Sequence, residues 1–254
     1  LDPVDEIGAV CARHGALLIV DAVSSWGGMQ ASPDACHAAV YVTGPSKCLG
    51  CPPGLSLVAV SEAGWARMAA NPGAPRGSAL SLLDWRDAWR ADRPFPFTPS
   101  IAEINGLDRA LDLYLEEGPE AVWERHALAA AACRAGVQGL GLELWPVREA
   151  IASPTTTTLR LPAGIDGDVL LATARERYGV TFAAGRGAVL NRLVRIGHMG
   201  PSAQSILAVA AVAALGGALR SMGIRVDIGE GTAAAMAVIE DVLGYRSEDV
   251  TGKL

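Results

Sequence analysis

The sequence predicts an α/β protein, the later part of a doubly wound and mostly parallel sheet followed by a smaller α+β domain. One observation is a series of apolar runs of strand length, at 16–20, 39–43 and 56–60. The other is a change after Gly141 to short strands around one helix at 168–178; these strands are predicted near 142–145, 155–161, 180–183 and 192–196. We place the large domain at 1–125 and the small domain at 126–254.

The chain opens on a predicted helix. Val4, Ile7 and Val10 recur at helical spacing, and Gly15 provides a stop. In a doubly wound fold this helix would be the end of a crossover between parallel strands. We therefore expect the chain to be a fragment that lacks the N-terminal part of a longer protein.

Further helices follow from capping and periodicity. Ser100 and Glu103 have the spacing of a capping box before an amphipathic helix that ends near Gly118, and Pro119 begins the next helix. Additional helices are predicted at 62–70, at 201–219 and near the C-terminus, before a polar tail at 247–254.

Composition limits the possible partners. Half of the 254 residues are hydrophobic and the net charge is −6, which offers no broad basic surface for nucleic acid. The least charged segment, 201–219, is mostly Ala, Gly and Ser, so we interpret it as a buried helix and expect no membrane association. Five cysteines without framework spacing and no visible secretion or transit signal predict a cytoplasmic protein.

The candidate active site begins with Lys47. It follows an apolar run and is enclosed by glycines and prolines in the stretch YVTGPSKCLGCPPG. A lysine held and partly desolvated at the end of a buried strand favours the neutral, nucleophilic amine that imine formation needs. The alternative is a surface lysine in a loop. Cys48 and Cys51 form a C-x-x-C, but no second pair exists and prolines follow, so we predict neither a metal site nor a redox site.

A second candidate is Asp21, which ends the apolar run 17–20. Runs that are apolar on both faces are typical of buried parallel strands, and their carboxyl ends face the crevice where such sheets bind ligands. Asp21 is therefore either an N-cap for the following segment or the partner of a ligand cation.

An aspartate at a strand end followed by a lysine in a Ser-Lys-x-Leu-x-x-Pro-Pro-Gly loop resembles the fold-type I pyridoxal-phosphate enzymes, and within them the class V aminotransferases. The resemblance implies that Lys47 forms the Schiff base with the pyridoxal aldehyde. It implies that Asp21 pairs with the protonated pyridine nitrogen and that Val23 packs against the ring. An ionised Asp21 would keep the ring a pyridinium, which is the electron sink in transamination.

The resemblance also indicates an altered phosphate site. Phe95 and Phe97, in Phe95-Pro96-Phe97-Thr98-Pro99, lie where phosphate-using relatives carry a tyrosine, another residue and then Thr-Pro, a segment that reaches the cofactor of the neighbouring subunit. Phe95 replaces the tyrosine and has no hydroxyl to offer a phosphate, and Ser46 replaces a frequent glutamine. We interpret these changes as a weakened or absent phosphate site; the alternative is drift around a retained one.

Two arginines are candidates for binding the substrate carboxylate. Arg195 lies between apolar residues in VRIGHMG, and a guanidinium there needs an anion, either a ligand or an internal salt-bridge partner. The resemblance implies that Arg195 holds the substrate α-carboxylate. Arg186, between Gly185 and Gly187, is either a second carboxylate contact or a solvent-facing residue. His198 either orients Arg195 or the substrate, or is structural, and His126 is predicted to be packed or on the surface rather than a ligand.

Taken together, these residues most resemble a branch of the family, and the resemblance implies transfer of the amino group of pyridoxamine to pyruvate, giving pyridoxal and L-alanine in a vitamin-degradation pathway. In this reading unphosphorylated pyridoxal is bound as the Lys47 Schiff base and the protein is a homodimer or homotetramer with shared active sites. The alternatives are a conventional pyridoxal-phosphate-dependent alanine– or serine–glyoxylate aminotransferase and, in another class, a non-catalytic dimerising fragment. A cysteine desulfurase would need a small-domain cysteine, and none follows Cys133.

Overall fold

The computed structural model describes residues 1–93 and 95–244, and the predicted polar tail lies outside the described residues. The chain divides into two compact units. The N-terminal unit comprises Asp2–Trp26 and Ala31–Glu116, and the C-terminal unit comprises Leu1, Gly27–Gln30 and the chain from Glu117 onward. The change of unit falls just before the helix that Pro119 begins. The domain bounds 1–125 and 126–254 stay a prediction.

The N-terminal unit is built on a three-stranded sheet in the order β1-β2-β3. Its strands are β1 (Leu18–Asp21), β2 (Ala38–Thr43) and β3 (Leu57–Val60). β1 and β2 are parallel, as expected, whereas β3 runs antiparallel to β2. The helices of this unit are α1 (Val4–Arg13), α2 (Glu62–Ala69), α3 (Leu82–Trp85) and α4 (Ile101–Glu117).

Two glycines allow helices to pack closely beside this sheet. A Cβ on Gly8 in α1 would lie 1.9 Å from the carbonyl oxygen of Cys36, just before β2. A Cβ on Gly64 in α2 would lie 2.4 Å from the carbonyl oxygen of Ala39. Both distances are far inside van der Waals contact, so any larger residue would push the helix away.

One expectation for this sheet was wrong. β1 was expected to be buried on both faces, yet the Ile19 side chain is 70% exposed and Leu17 is 45% exposed. The reason is that, among the described residues, the face of the sheet that carries these two side chains is not covered, whereas the other face packs against a cluster that includes Val20 and Ala22. Val20, which points the other way, is buried.

The C-terminal unit has an antiparallel sheet in the order β4-β6-β5. Its strands are β4 (Thr156–Arg160), β5 (Ala183–Ala184) and β6 (Leu193–Gly197); its helices are α5 (Pro119–Gly139), α6 (Gly167–Tyr178), α7 (Ser205–Ser221) and α8 (Ile228–Leu243). The strand predicted near 142–145 is reduced to a single bridge between Leu144 and Leu159. The mixture of short strands and helices agrees with the predicted α+β character.

The main core lies in this unit. Side chains from α5, α7, α8 and the buried face of β4 and β6 form one apolar cluster that includes Val137, Leu159, Val194, Leu215 and Leu219. The segment 201–219, predicted to be a buried helix, becomes α7 and supplies much of this core. None of the helices in the described part of the chain combines the length and apolarity needed to span a bilayer.

Candidate active site

Lys47 lies in a tight turn directly after β2. Thr43, Gly44 and Pro45 are buried, and Lys47 itself is half-buried. The turn is closed by two backbone hydrogen bonds, from the Gly50 N–H to the Lys47 carbonyl at 3.0 Å and from the Cys51 N–H to the Pro45 carbonyl at 3.0 Å. Gly50 has a φ of 72°, which favours glycine. The backbone that carries the lysine is therefore fixed, as the glycines and prolines predicted.

Asp21 ends β1 and is exposed. Its Oδ1 accepts a hydrogen bond from the Val23 N–H at 3.0 Å, so the carboxylate orders the turn that follows the strand. Ala22 continues the pairing, because its N–H donates to the Val42 carbonyl at 2.8 Å. Only one lone pair of Asp21 is used locally in this turn, and the remaining carboxylate oxygen is available to a ligand cation.

The lysine turn and the aspartate turn meet in the N-terminal unit. The Cys48 thiol donates to the Ser24 carbonyl at 3.7 Å, and the Thr43 hydroxyl donates to the Ala22 carbonyl at 3.3 Å. The structure thus brings Lys47, Asp21 and Val23 into one region at the carboxyl ends of β1 and β2. This is the edge at which parallel sheets bind ligands.

The C-x-x-C serves as a pair of structural thiols. Cys51 donates to the Gly106 carbonyl on α4 at 3.5 Å, and burial raises the pKa of the Cys51 thiol. All five cysteines lie in the described residues and carry thiols rather than disulfides. In the described ranges, no three His, Cys, Asp or Glu side chains cluster as a metal site. The absence of a metal stays a prediction.

Phe95 and Phe97 pack against Trp85 of α3. Their ring centroids lie 6.4 Å and 6.3 Å from that of Trp85, in tilted arrangements, and both rings are exposed. Ser46 is exposed beside the lysine. None of these three residues, Phe95, Phe97 and Ser46, therefore provides a buried polar side chain. Their roles near a cofactor stay predictions.

Arg195 lies in the middle of β6, between Thr158 of β4 and Ala183 of β5. Its Nε donates to the Ala184 carbonyl at 3.1 Å, and the side chain is half-buried. Within residues 1–93 and 95–244, no carboxylate forms an ion pair with it. The internal salt bridge considered from the sequence is therefore not formed there. The guanidinium is anchored at one nitrogen, and its other two nitrogens can bind a carboxylate.

Arg186 follows β5 and is exposed. The turn around it is tight, because a Cβ on Gly185 would lie 2.1 Å from the Val189 carbonyl oxygen and Gly187 has a φ of 56°. Gly185 donates its N–H to the Leu193 carbonyl at 3.0 Å, so Gly185 lies level with a residue two positions from Arg195, and Arg186 is the next residue of the chain. The C-terminal unit thus contains Arg195 in the middle of β6 and Arg186 just after the neighbouring strand β5.

The sequence matches the model of the Aminotransferase class-V family over residues 1–204. The chain belongs to the class V aminotransferase family. Class V aminotransferases depend on pyridoxal phosphate, and the chain has the fold-type I aminotransferase architecture.

Three relatives of this class V chain are particularly informative. It is 60% identical over 240 residues to a pyridoxamine–pyruvate transaminase of Mesorhizobium japonicum, covering 94% of the chain and 61% of that protein. It is 34% identical to an L-aspartate–glyoxylate aminotransferase of Paracoccus denitrificans, covering 88% and 56%. The crystal structure of pyridoxamine–pyruvate aminotransferase from Mesorhizobium loti superposes with a TM-score of 0.93 at 60% identity, covering 95% and 62%. The chain spans about three fifths of the length of the two pyridoxamine–pyruvate enzymes.

Two buried histidines of this class V aminotransferase lie near the end of β6. The sequence left open whether His198 orients Arg195 or the substrate or is structural, and it did not assign His126 to the site. His198 is 3% exposed, and its Nε2 shares a hydrogen bond of 3.0 Å with the Thr157 hydroxyl. His126 on α5 is fully buried; its Nε2 accepts from the Gly200 N–H at 3.0 Å and its Nδ1 donates to the Val122 carbonyl at 2.7 Å. The sequence feature that pointed to His198 was its position in the stretch Arg195-Ile196-Gly197-His198. One short stretch, however, does not show whether a side chain is buried.

Burial favours the neutral form of both histidines. It lowers the pKa of His198 to about 4, with the Arg134 charge acting in the same direction. Burial also lowers the pKa of His126. The prediction for His126, packed or on the surface rather than a ligand, is confirmed as packed.

Proposed function

We propose that the protein transfers the amino group of pyridoxamine to pyruvate, giving pyridoxal and L-alanine. The observation that carries this proposal is the 60% identity to a protein named for that reaction along nearly the whole chain. Glyoxylate-using relatives are about half as similar at comparable coverage. Because the chain spans only part of these relatives, the reaction is a proposal about the full-length gene product.

The residues present fit a pyridoxal ring. The half-buried Lys47 and the exposed Asp21 lie on two turns that are joined by the hydrogen bond from the Cys48 thiol to the Ser24 carbonyl. Val23, on the same turn as Asp21, is half-buried. We assign the amine of Lys47 as the attachment point, Asp21 as the partner of the pyridine nitrogen and Val23 as the ring contact. When bound to Lys47 as a Schiff base, unphosphorylated pyridoxal would supply the electron sink for the reaction.

Lys47 also provides the proton transfer. The free amine of Lys47 would carry a proton between the C4′ carbon of the vitamer and the α-carbon of alanine. The closed turn supports this role, because a general base must stay within hydrogen-bond reach of both carbons. Asp21 complements it by holding positive charge at the far end of the ring.

Arg195 holds the pyruvate carboxylate in this proposal. Its anchored Nε leaves two N–H groups in the planar arrangement that matches a carboxylate. Arg186, which is exposed and follows β5, supplies a second contact. Two arginines would together bind both oxygens of the carboxylate.

We propose that the ring compound is a substrate that leaves after each turnover. Phe95 has no hydroxyl and Ser46 is a short side chain, which supports weak binding of a phosphate. Without an anchored phosphate, pyridoxal can dissociate. Phe97 and Phe95 would line the ring site, and a homodimer or homotetramer with shared active sites is part of the same proposal. The cytoplasmic location stays a prediction.

The test is pyridoxal formation by the full-length gene product, after removal of bound cofactor and without added pyridoxal phosphate. We expect pyridoxamine and pyruvate to give equal amounts of pyridoxal and L-alanine. Activity only with pyridoxal phosphate and an amino acid–glyoxylate pair would replace this function by a conventional aminotransferase. Absence of activity in both assays would favour a non-catalytic protein.

A further inference from the structure

The position of Arg195 depends on how β6 is held. On one side β6 pairs with β4 along its full length, from Leu193 opposite Arg160 to Gly197 opposite Thr156. On the other side β5 contributes only two residues, Ala183 and Ala184. The contacts with β4 therefore decide where along the sheet the guanidinium lies.

The ladder with β4 ends at Gly197, but the hydrogen bonding continues through His198. The His198 N–H donates to the Thr155 carbonyl at 3.1 Å, and its ring shares the 3.0 Å bond with the Thr157 hydroxyl. Thr157 is opposite Ile196, the residue that follows Arg195. One side chain thus ties the end of β6 back to the strand that sets its register.

The partners of His198 are themselves fixed from α5. Arg134 donates to the Ser153 carbonyl at 3.2 Å and forms an ion pair with Glu149, which holds the segment that enters β4. Cys133 of α5 is fully buried, and burial raises the pKa of its thiol to about 11, with the Thr157 side chain acting in the opposite direction. A hydrogen bond in such surroundings is costly to lose, because its partners cannot turn to water.

The loop after β6 is held separately. The Gly200 N–H donates to His126, and Arg125 donates to the Gly200 carbonyl at 2.9 Å and to the Ala203 carbonyl at 3.2 Å. With both ends fixed, the segment from Arg195 to Gly200 has little freedom to shift.

We propose that His198 is a positioning residue for Arg195: by tying the end of β6 to Thr157 on β4, it presents the guanidinium to the substrate carboxylate at one place. The inference rests on the proposed function, in which that carboxylate belongs to pyruvate. His198 acts through the strand and not on the reacting atoms.

The test is the Thr157→Val variant of the full-length gene product, which removes the hydroxyl and keeps the shape. We expect the KM for pyruvate to rise roughly tenfold while kcat changes by less than about threefold, because a displaced binding group weakens substrate binding first. Thr157→Ser, which keeps the hydroxyl, should restore the KM. His198→Leu and His198→Gln form a second pair of variants. The glutamine amide can replace the hydrogen bond between His198 Nε2 and the Thr157 hydroxyl, whereas leucine cannot.

The matched control is Thr232→Val on α8. The Thr232 hydroxyl donates to the Ile228 carbonyl of its own helix at 2.8 Å, so the variant removes a similar bond away from β6. It should leave the KM for pyruvate unchanged. If Thr157→Val lowers kcat and leaves the KM unchanged, or matches the control, His198 is only structural and the inference fails. A wild-type protein without turnover would instead disprove the proposed function, and the two failures are therefore distinct.

Discussion

Lys47 is the only lysine in the described part of the chain, and the only other lysine in the sequence is Lys253. We expect Lys47→Ala to reduce pyridoxal formation by at least about 10²- to 10⁴-fold, the usual effect of losing a general acid–base group. Lys253→Ala is the control and should retain full activity. Transamination that survives in the Lys47→Ala protein would overturn the assignment of the active site.

A second single-residue test concerns the way in which the Arg195 guanidinium would bind the pyruvate carboxylate. Arg195→Lys keeps the charge but loses the planar fork, so the KM for pyruvate should rise by roughly 10- to 100-fold, in line with about 1.5–3 kcal/mol for a charged hydrogen bond. Arg160→Lys on the neighbouring strand, where the guanidinium lies over Trp145, is the control. Steady-state kinetics with varied pyruvate gives the answer; an unchanged KM would remove Arg195 from the substrate site.

The elements that position Lys47 depend on the close approach of α1 to the chain before β2. We expect Gly8→Ala to destabilise the protein by about 1–3 kcal/mol, because the new methyl group would overlap the Cys36 carbonyl. Gly106→Ala in α4 is the matched control, since no atom lies within 4 Å of its added Cβ. The control should be neutral or more stable. Urea unfolding of both variants measures the difference; equal midpoints would contradict the packing argument.

Much of the element order could be predicted because it depends on local pattern. The capping residues, the helical spacing and the glycine stops located α1, α4, α5 and α6 to within a few residues. The Ser100 hydroxyl, however, bonds the Glu103 carboxylate directly instead of forming a reciprocal capping box. The exposure of Ile19 was missed, because the sequence of a strand does not show which face of the sheet other elements cover.

The candidate site was predictable to the extent that it depends on motifs. Lys47, Asp21 and Arg195 are each marked by a short stretch with a physical reason, and their chemical roles remain predictions. The bond between Cys48 and Ser24 and the role of Thr157 were not predictable, because each joins segments that are far apart in sequence. Only the folded chain shows which neutral side chains become partners.

At the scale of the whole molecule, burial of His198 makes the protein sensitive to acid. Its pKa is about 4 in the folded state and about 6.5 when unfolded, so the folded state binds fewer protons. Its contribution is fully present above about pH 6.5 and is lost as the pH falls to about 4, a change of about 3 kcal/mol. His126 acts in the same direction.

Urea unfolding between pH 7 and pH 4 measures this effect. The free energy of unfolding of the wild-type protein should fall steeply as the pH falls below about 6.5. His198→Gln lowers the overall stability but removes the titrating group, so its stability should depend less on pH over the same range. An equally steep decline in both proteins would show that other groups cause the acid sensitivity.

Successive side chains of β6 point to opposite faces of the sheet, and this alternation separates two kinds of evolutionary constraint. Val194 and Ile196 point into the core, whereas Arg195 and Gly197 point to the opposite face. If Arg195 binds the substrate carboxylate as proposed, mutations at the second pair of positions would alter which acids are accepted without creating a cavity, and mutations at the first pair would affect folding before selectivity. In such a strand, changes of selectivity would be separate from changes of the scaffold.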